Sequence, residues 1–280
     1  MTDALVDVLD GIHVVALTTN IPGPVAAARL RALGARVTKI EPTRGDPLAD
    51  AAPQWYARLS TGIEIVQVDF RERGARTVLD AHLQHADIVL TAMRARSLER
   101  IGLQWEHIHA QYPALSMIAL TGEAPPNDDR AGHDLTYQAR AGTIAPPAMP
   151  RALVGDMAAA ERVVSVALAA LVKRVRTGEG LFANVSIVDC ARSFAEPYAH
   201  GLTRDGGSLG GGLPAYGIYP AEDGWVAVAA LEPHFIERLQ ALLGVTDVTR
   251  AALRDALVRR SAREWEALAE QHDVPLAAVR

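Results

Sequence analysis

Residues 11–41 read GIHVVALTTNIPGPVAAARLRALGARVTKIE, and this stretch decides the fold class. Ile12–Leu17 is a short apolar run of the kind that forms a buried strand. Pro22, Gly23 and Pro24 interrupt it. Val25–Leu33 then follows a helical pattern, which Gly34 ends at a C′ position. Ala35–Glu41 is the next strand, so the first forty residues form a β-α-β unit. The alternation continues outward. Ile63–Phe70, Asp87–Thr91 and Ala114–Leu120 read as strands, with helices over Arg71–His85 and Trp105–Gln111. Strands alternating with helices imply an α/β fold, a mostly parallel sheet with both faces covered.

Beyond this region the pattern changes twice. Glu123–Asp129 is a polar loop with two prolines. Met157–Val175 is apolar almost all round, which predicts a helix buried on every side. Thr177–Gly180 is a turn, and Ala183–Val188 a strand or a helix entry. Arg204–Gly212 is glycine-rich and reads as a linker or mobile loop. Ala215–Tyr219 and Trp225–Ala230, separated by Ala221-Glu222-Asp223-Gly224, predict a hairpin. Helices follow over Pro233–Leu243, Arg250–Arg260 and Ala262–Gln271, the last opening with Ser261 and Glu264 at capping-box spacing. The expected organisation is a large domain over 1–200, a linker over 201–212 and a smaller α+β domain over 213–280.

Composition narrows the function. The 280 residues carry a net charge of −5, which gives no basic field for nucleic acid or anionic lipid. The chain's one cysteine, Cys190, rules out an internal disulfide and reads as a buried, inert thiol. No apolar run reaches the roughly 20 residues that span a bilayer. Met1–Asp10 holds three aspartates and no Lys or Arg, and the chain ends in Ala-Ala-Val-Arg. Neither end matches a secretory or peroxisomal signal, so the expected location is cytoplasmic. Arginine outnumbers Lys39 and Lys173 heavily, which reflects coding bias rather than phosphate binding. No G-x-G-x-x-G follows a strand and no Walker A is present. His82 with His85, and His107 with His109, lack an acidic ligand at fixed spacing and read as solvated helix faces, so no metal site is expected.

Two places carry ionisable groups where chemistry could occur. Ala131-Gly132-His133-Asp134-Leu135-Thr136-Tyr137 puts a His, an Asp and a Tyr at a loop-to-helix junction. Val154-Gly155-Asp156 stands directly before the apolar helix, where an Asp is also a favoured N-cap. A capping or core-satisfied role is the plain alternative for His133.

The chain resembles the class III CoA-transferase family, also called the carnitine-dehydratase or bile-acid-inducible family. The resemblance runs almost end to end. It rests on Leu9-Asp10-Gly11-Ile12-His13-Val14, Pro22-Gly23-Pro24, Leu33 through Glu41, Gly45-Asp46-Pro47 and Arg94 with Glu99-Arg100-Ile101-Gly102-Leu103. The strings Ala131-Gly132-His133-Asp134, Val154-Gly155-Asp156, Thr177-Gly178-Glu179-Gly180 and Leu231-Glu232-Pro233-His234-Phe235 complete it. The resemblance implies a Rossmann-like large domain and coenzyme A as a thioester substrate, with no prosthetic group. It further implies a homodimer, interlocked in the family. The branch of α-methylacyl-CoA racemases carries both the His and the Asp. By resemblance, His133 and Asp156 are the two bases, Asp134 belongs to the same cluster, Tyr137 supports Asp156, and Glu232 orients His133 from a small domain. Arg94, Lys39, Gly23 and Gly132 stand where the family holds its CoA. In this reading the N–H groups of the helix start stabilise an enolate, and the helix dipole favours ionised Asp156.

The chain also departs from the family pattern. Thr61, Ile63 and Glu64 stand where cations are expected before the strand ending in Val68-Asp69-Phe70. Ala95-Arg96 replaces the usual Pro-Gly after Arg94. The string Asp273-Val274-Pro275-Leu276-Ala277 resembles one well inside the usual second half, so the family's C-terminal return segment is expected to be absent. Three readings follow: a 2-methylacyl-CoA racemase or epimerase, a CoA-transferase with Asp156 as nucleophile, and a shortened non-catalytic paralogue or partner subunit.

Overall fold

The computed structural model describes residues 7–72 and 74–280. The reading of Met1–Asp10 therefore lies partly outside the described residues, as does one position of the helix expected over Arg71–His85. The described chain divides into two compact units, the first running to Ala195 and the second from Glu196 to Arg280.

The first unit alternates strictly at its start: β1 (His13–Leu17), α1 (Pro22–Ala32), β2 (Arg36–Glu41), α2 (Pro47–Ala51), α3 (Pro53–Leu59), β3 (Glu64–Gln67), α4 (Ala75–Leu83) and β4 (Ile88–Thr91). It continues with α5 (Ala95–Arg100), α6 (Trp105–Gln111), β5 (Ser116–Thr121), α7 (Asp134–Ala141), α8 (Val154–Thr177), β6 (Phe182–Ser186) and α9 (Ile187–Ala199). The six strands form one sheet in the order β3-β2-β1-β4-β5-β6, with every pairing parallel. Successive strand residues face opposite sides. Val14 and Ala16 of β1 pack with α1 and α8, whereas Val15 and Leu17 pack with α4, α5 and the start of α6. The order reverses between β1 and β4, and a crevice at the carboxyl ends of such strands is where open α/β sheets bind ligands.

One expectation changes here. The helix expected over Met157–Val175 is α8, but only its first half and one stripe are buried, from Gly155 to Ala170. Val175 is 85% exposed, on an outward face of the helix that also carries Leu168 and Val172. Ala183–Val188, read as a strand or a helix entry, is both, the end of β6 and the start of α9. Cys190 is buried, and burial pushes its thiol further up.

The second unit holds β7 (Tyr216–Pro220), β8 (Trp225–Ala229), α10 (Pro233–Leu243), α11 (Arg250–Leu257), α12 (Ala262–Gln271) and β9 (Leu276–Ala278). The predicted hairpin is β7 and β8, and β9 extends it to a three-stranded antiparallel sheet. Ser261 and Glu264 close the capping box at the start of α12. The unit has its own core around Leu239, Leu253, Leu257 and Trp265. Residues 204–212 form a compact coil rather than an open linker. Gly207 N–H donates to the Arg204 carbonyl at 2.7 Å and Gly212 N–H to the Gly207 carbonyl at 2.7 Å. A Cβ at Gly210 would lie 1.8 Å from the Arg204 carbonyl oxygen, so close backbone approach explains the glycines. Among the described residues no helix is long and apolar enough to cross a membrane.

Candidate active site

The site lies at the carboxyl ends of β1, β4, β5 and β6. A cavity of about 260 Å³ opens there, lined by Thr19 and Asn20 after β1, by Met93 and Arg94 after β4, and by Thr121 and Gly122 at the end of β5. Its wall is completed from α7 and α8, and it includes both His133 and Asp156.

His133 occupies the N-cap position of α7 in extended conformation. The Thr136 hydroxyl clamps its backbone, accepting from the His133 N–H at 3.1 Å and donating to the His133 carbonyl at 2.8 Å. This fixes the backbone and leaves the imidazole exposed at the cavity. Asp156 is not the N-cap of α8, a place held by Leu153. It stands in the first turn with 8% of its surface exposed.

Asp134 explains how the two helices meet. Its Oδ1 accepts the Asp156 N–H at 2.9 Å, and its Oδ2 accepts from Gln138 Nε2, which also donates to the Ala152 carbonyl at 2.8 Å. Gly155 permits this approach, since a Cβ there would come within 3.0 Å of Asp134 Oδ1. Asp134 was expected among the catalytic residues; both its oxygens accept hydrogen bonds within the protein. Gln138 went unnoticed, although its i,i+4 spacing from Asp134 on a helix was a usable signal.

Burial, and then the Asp134 charge, lift the Asp156 carboxyl to about 7. That corrects the expectation of a carboxylate favoured by the helix start. Holding the carboxyl at about 7 works against the anion by roughly 4 kcal/mol, more than the ~0.3–2 kcal/mol a helix dipole supplies. The expected supply of free N–H groups is also reduced: Asp156 N–H goes to Asp134, and Met157 N–H to the Leu153 carbonyl. Burial and the neighbouring Asp156 push the Tyr137 phenol up, so it stays protonated at neutral pH. The Tyr137 ring fits between two glycines. A Cβ at Gly122 would be 2.3 Å from its hydroxyl oxygen, and one at Gly132 2.4 Å from its Cε1.

The remaining expected residues divide. Arg94 and Gly132 line the cavity. Gly23 is buried in the first turn of α1, where a Cβ would lie 2.3 Å from the Thr18 Cβ; it serves packing and offers no ligand surface. Lys39 is only 2% exposed. Its ammonium is held by Asp46 at 2.6 Å and Glu41 at 2.7 Å, so it has no donor turned to a ligand. It acts at one remove, because Asp46 Oδ1 accepts the N–H of Asn20, a cavity residue at φ 70°. Glu232 stands at the N-cap of α10 in the second unit, exposed. Glu64 accepts the Thr38 hydroxyl at 2.8 Å, which holds its carboxyl below the usual range. Arg130, which pattern reading passed over, joins Arg94 in the lining. Among the described residues no group of three or more His, Cys, Asp or Glu is placed to hold a metal ion.

The model of CoA-transferase family III matches residues 9–280. The chain is 29% identical over 261 residues to a succinyl-CoA–D-citramalate CoA-transferase of Chloroflexus aurantiacus, covering 84% of this chain and 65% of that protein. It is 28% identical to the human α-methylacyl-CoA racemase, covering 85% of this chain and again 65% of the relative. The chain thus spans about two thirds of the length of these curated relatives. In fold it is similar to the crystal structure of a hypothetical protein from Mycobacterium tuberculosis, with a TM-score of 0.86, 24% identity, and 98% of this chain and 86% of that chain covered.

Proposed function

We propose, from the premise that this chain belongs to CoA-transferase family III, that it acts on acyl-CoA thioesters and moves the α-proton of the acyl group between His133 and Asp156. The observation that carries this reading is that both side chains line one cavity at the switch point of the sheet. One base takes the α-proton, and the C–H electron pair passes to the thioester oxygen as an enolate. The other base returns a proton to the opposite face, which inverts the α-carbon. Arg94 and Arg130 are the cations in the lining that face the enolate charge, Arg130 being shared with Glu123 at 3.5 Å. A carboxyl lifted to about 7 both accepts and releases protons readily at neutral pH. The racemase among the relatives supports the same reading.

The test is α-deuterium incorporation from solvent into a 2-methylacyl-CoA with no acceptor acid present. The wild-type protein should exchange, and His133→Ala and Asp156→Asn should each lose about 10²–10⁴-fold in rate. Intact, folded protein that exchanges nothing would sink the proposal.

A second reading is favoured by the CoA-transferases among the relatives. In it Asp156 attacks the thioester, forming an acyl anhydride and releasing CoA. That reading needs an acceptor acid and a trappable Asp156 adduct, and it predicts that His133→Ala keeps most of the transfer activity.

A further inference from the structure

A second cavity of about 240 Å³ adjoins the first, and Met93, Thr121 and Asp128 belong to the walls of both. It lies on the other face of β5, between that strand and α5 and α6. Its surface is built from Leu98, Leu103, Trp105, Met117, Ala119 and Phe182. Phe182 opens β6 and is 45% exposed. Trp105 is 5.9 Å from it, tilted, and is backed by His109 stacked at 4.6 Å. His109 thus leaves the solvated face on which its spacing had placed it, and braces one wall of the slot.

The charges decide which end of a thioester fits. Among the described residues the second cavity is lined by the carboxylates Glu106 and Asp128 and by no Lys or Arg, whereas the first carries Arg94 and Arg130 together with Asp128, Asp134 and Asp156. A polyanionic nucleotide therefore meets cations in the first cavity and only carboxylates in the second. We infer that the apolar slot beside Thr121 receives the acyl group of the substrate, and that this group is compact and carries an aryl ring. The inference rests on the acyl-CoA reading of the first cavity. Size sets the upper limit: a dry apolar cavity of roughly 150 Å³ takes a benzene ring. The slot therefore matches a ring with a short spacer, and a long straight fatty tail would run on past it without further enclosed contacts. Trp105 and Phe182 offer tilted ring contacts to an aryl group.

The test is calorimetric titration of the full chain with 2-phenylpropanoyl-CoA, 2-methylpropanoyl-CoA and hexadecanoyl-CoA. The aryl thioester should bind at least about tenfold tighter than 2-methylpropanoyl-CoA, and hexadecanoyl-CoA should gain nothing over it. Phe182→Ala removes an exposed ring, and Ala119→Leu fills the slot from β5. Each should abolish the aryl preference, whereas coenzyme A itself, which carries no acyl group, should bind within about twofold of wild type. Equal binding of all three thioesters, tightest binding of the long chain, or an aryl preference that survives Phe182→Ala overturns the slot alone. If no thioester binds, the acyl-CoA reading falls and the slot with it. Selective binding without α-proton exchange removes the proton-transfer reading and leaves the slot standing.

Discussion

At the scale of single residues, Asp156 shows how burial sets chemistry. Desolvation and Asp134 hold its carboxyl near 7 in the folded chain, whereas an unfolded aspartate titrates near 4. Between these values the folded chain keeps a proton that the unfolded chain has released. Stability therefore falls as pH rises from about 4 to about 7, and levels off above. Asp156→Asn lacks this loss. The variant should melt higher than wild type at pH 8, by an amount worth on the order of 2–4 kcal/mol, and show no such gain at pH 4. Equal shifts at both pH values in thermal denaturation would contradict the assignment. In the proposed proton transfer the pair works in the form that carries one proton, so kcat/KM for both hands of the substrate should decline together as a second proton is taken up.

At the scale of elements, the site is the junction of α7 and α8 against the end of β5. Asp134 and Gln138 tie α7 to the first turn of α8, and Tyr137 fills the gap that Gly122 and Gly132 leave. Gly132→Ala puts a methyl group 2.4 Å from the Tyr137 ring, a contact that forces the ring or the loop to move. The substitution should cost about 1–3 kcal/mol in denaturant unfolding. In a Tyr137→Ala background most of that loss should vanish, since the clash needs both partners. A full cost in both backgrounds would place the strain elsewhere. Gly132 thus serves this junction as well as lining the cavity, a role that a motif match does not reveal.

At the scale of the whole molecule, the two units carry separate apolar cores. Leu239 is 0% exposed in the second. Leu239→Ala should cost about 2–5 kcal/mol. Hydrogen exchange should show the loss of protection in α10, α11, α12 and β7–β9, with β1, β4 and β5 keeping theirs. Equal loss in both sets would mean that the units unfold as one. The larger unit's strand order brings residues from four strand ends, Asn20, Arg94, Thr121 and Ile187, around one cavity.

The period-2 and period-3.6 patterns and the glycine and proline breaks settled the α/β class, the parallel sheet of the first unit, the hairpin and the helices of the second, because these depend on neighbours a few residues apart. The strings around His133 and Asp156 were legible in the same way, as local motifs. Only the tertiary structure decided what those residues experience. Lys39 reads as a free cation beside a family motif, yet it lies buried between Glu41 and Asp46. Asp156 reads as a helix cap whose ionised form is favoured, yet burial, and then Asp134 22 residues earlier, lift its carboxyl. The apolar slot joins α5, α6, β5 and β6. Desolvation, charge pairing and cavity shape are properties of side chains brought together from distant parts of the chain, and no local period encodes them.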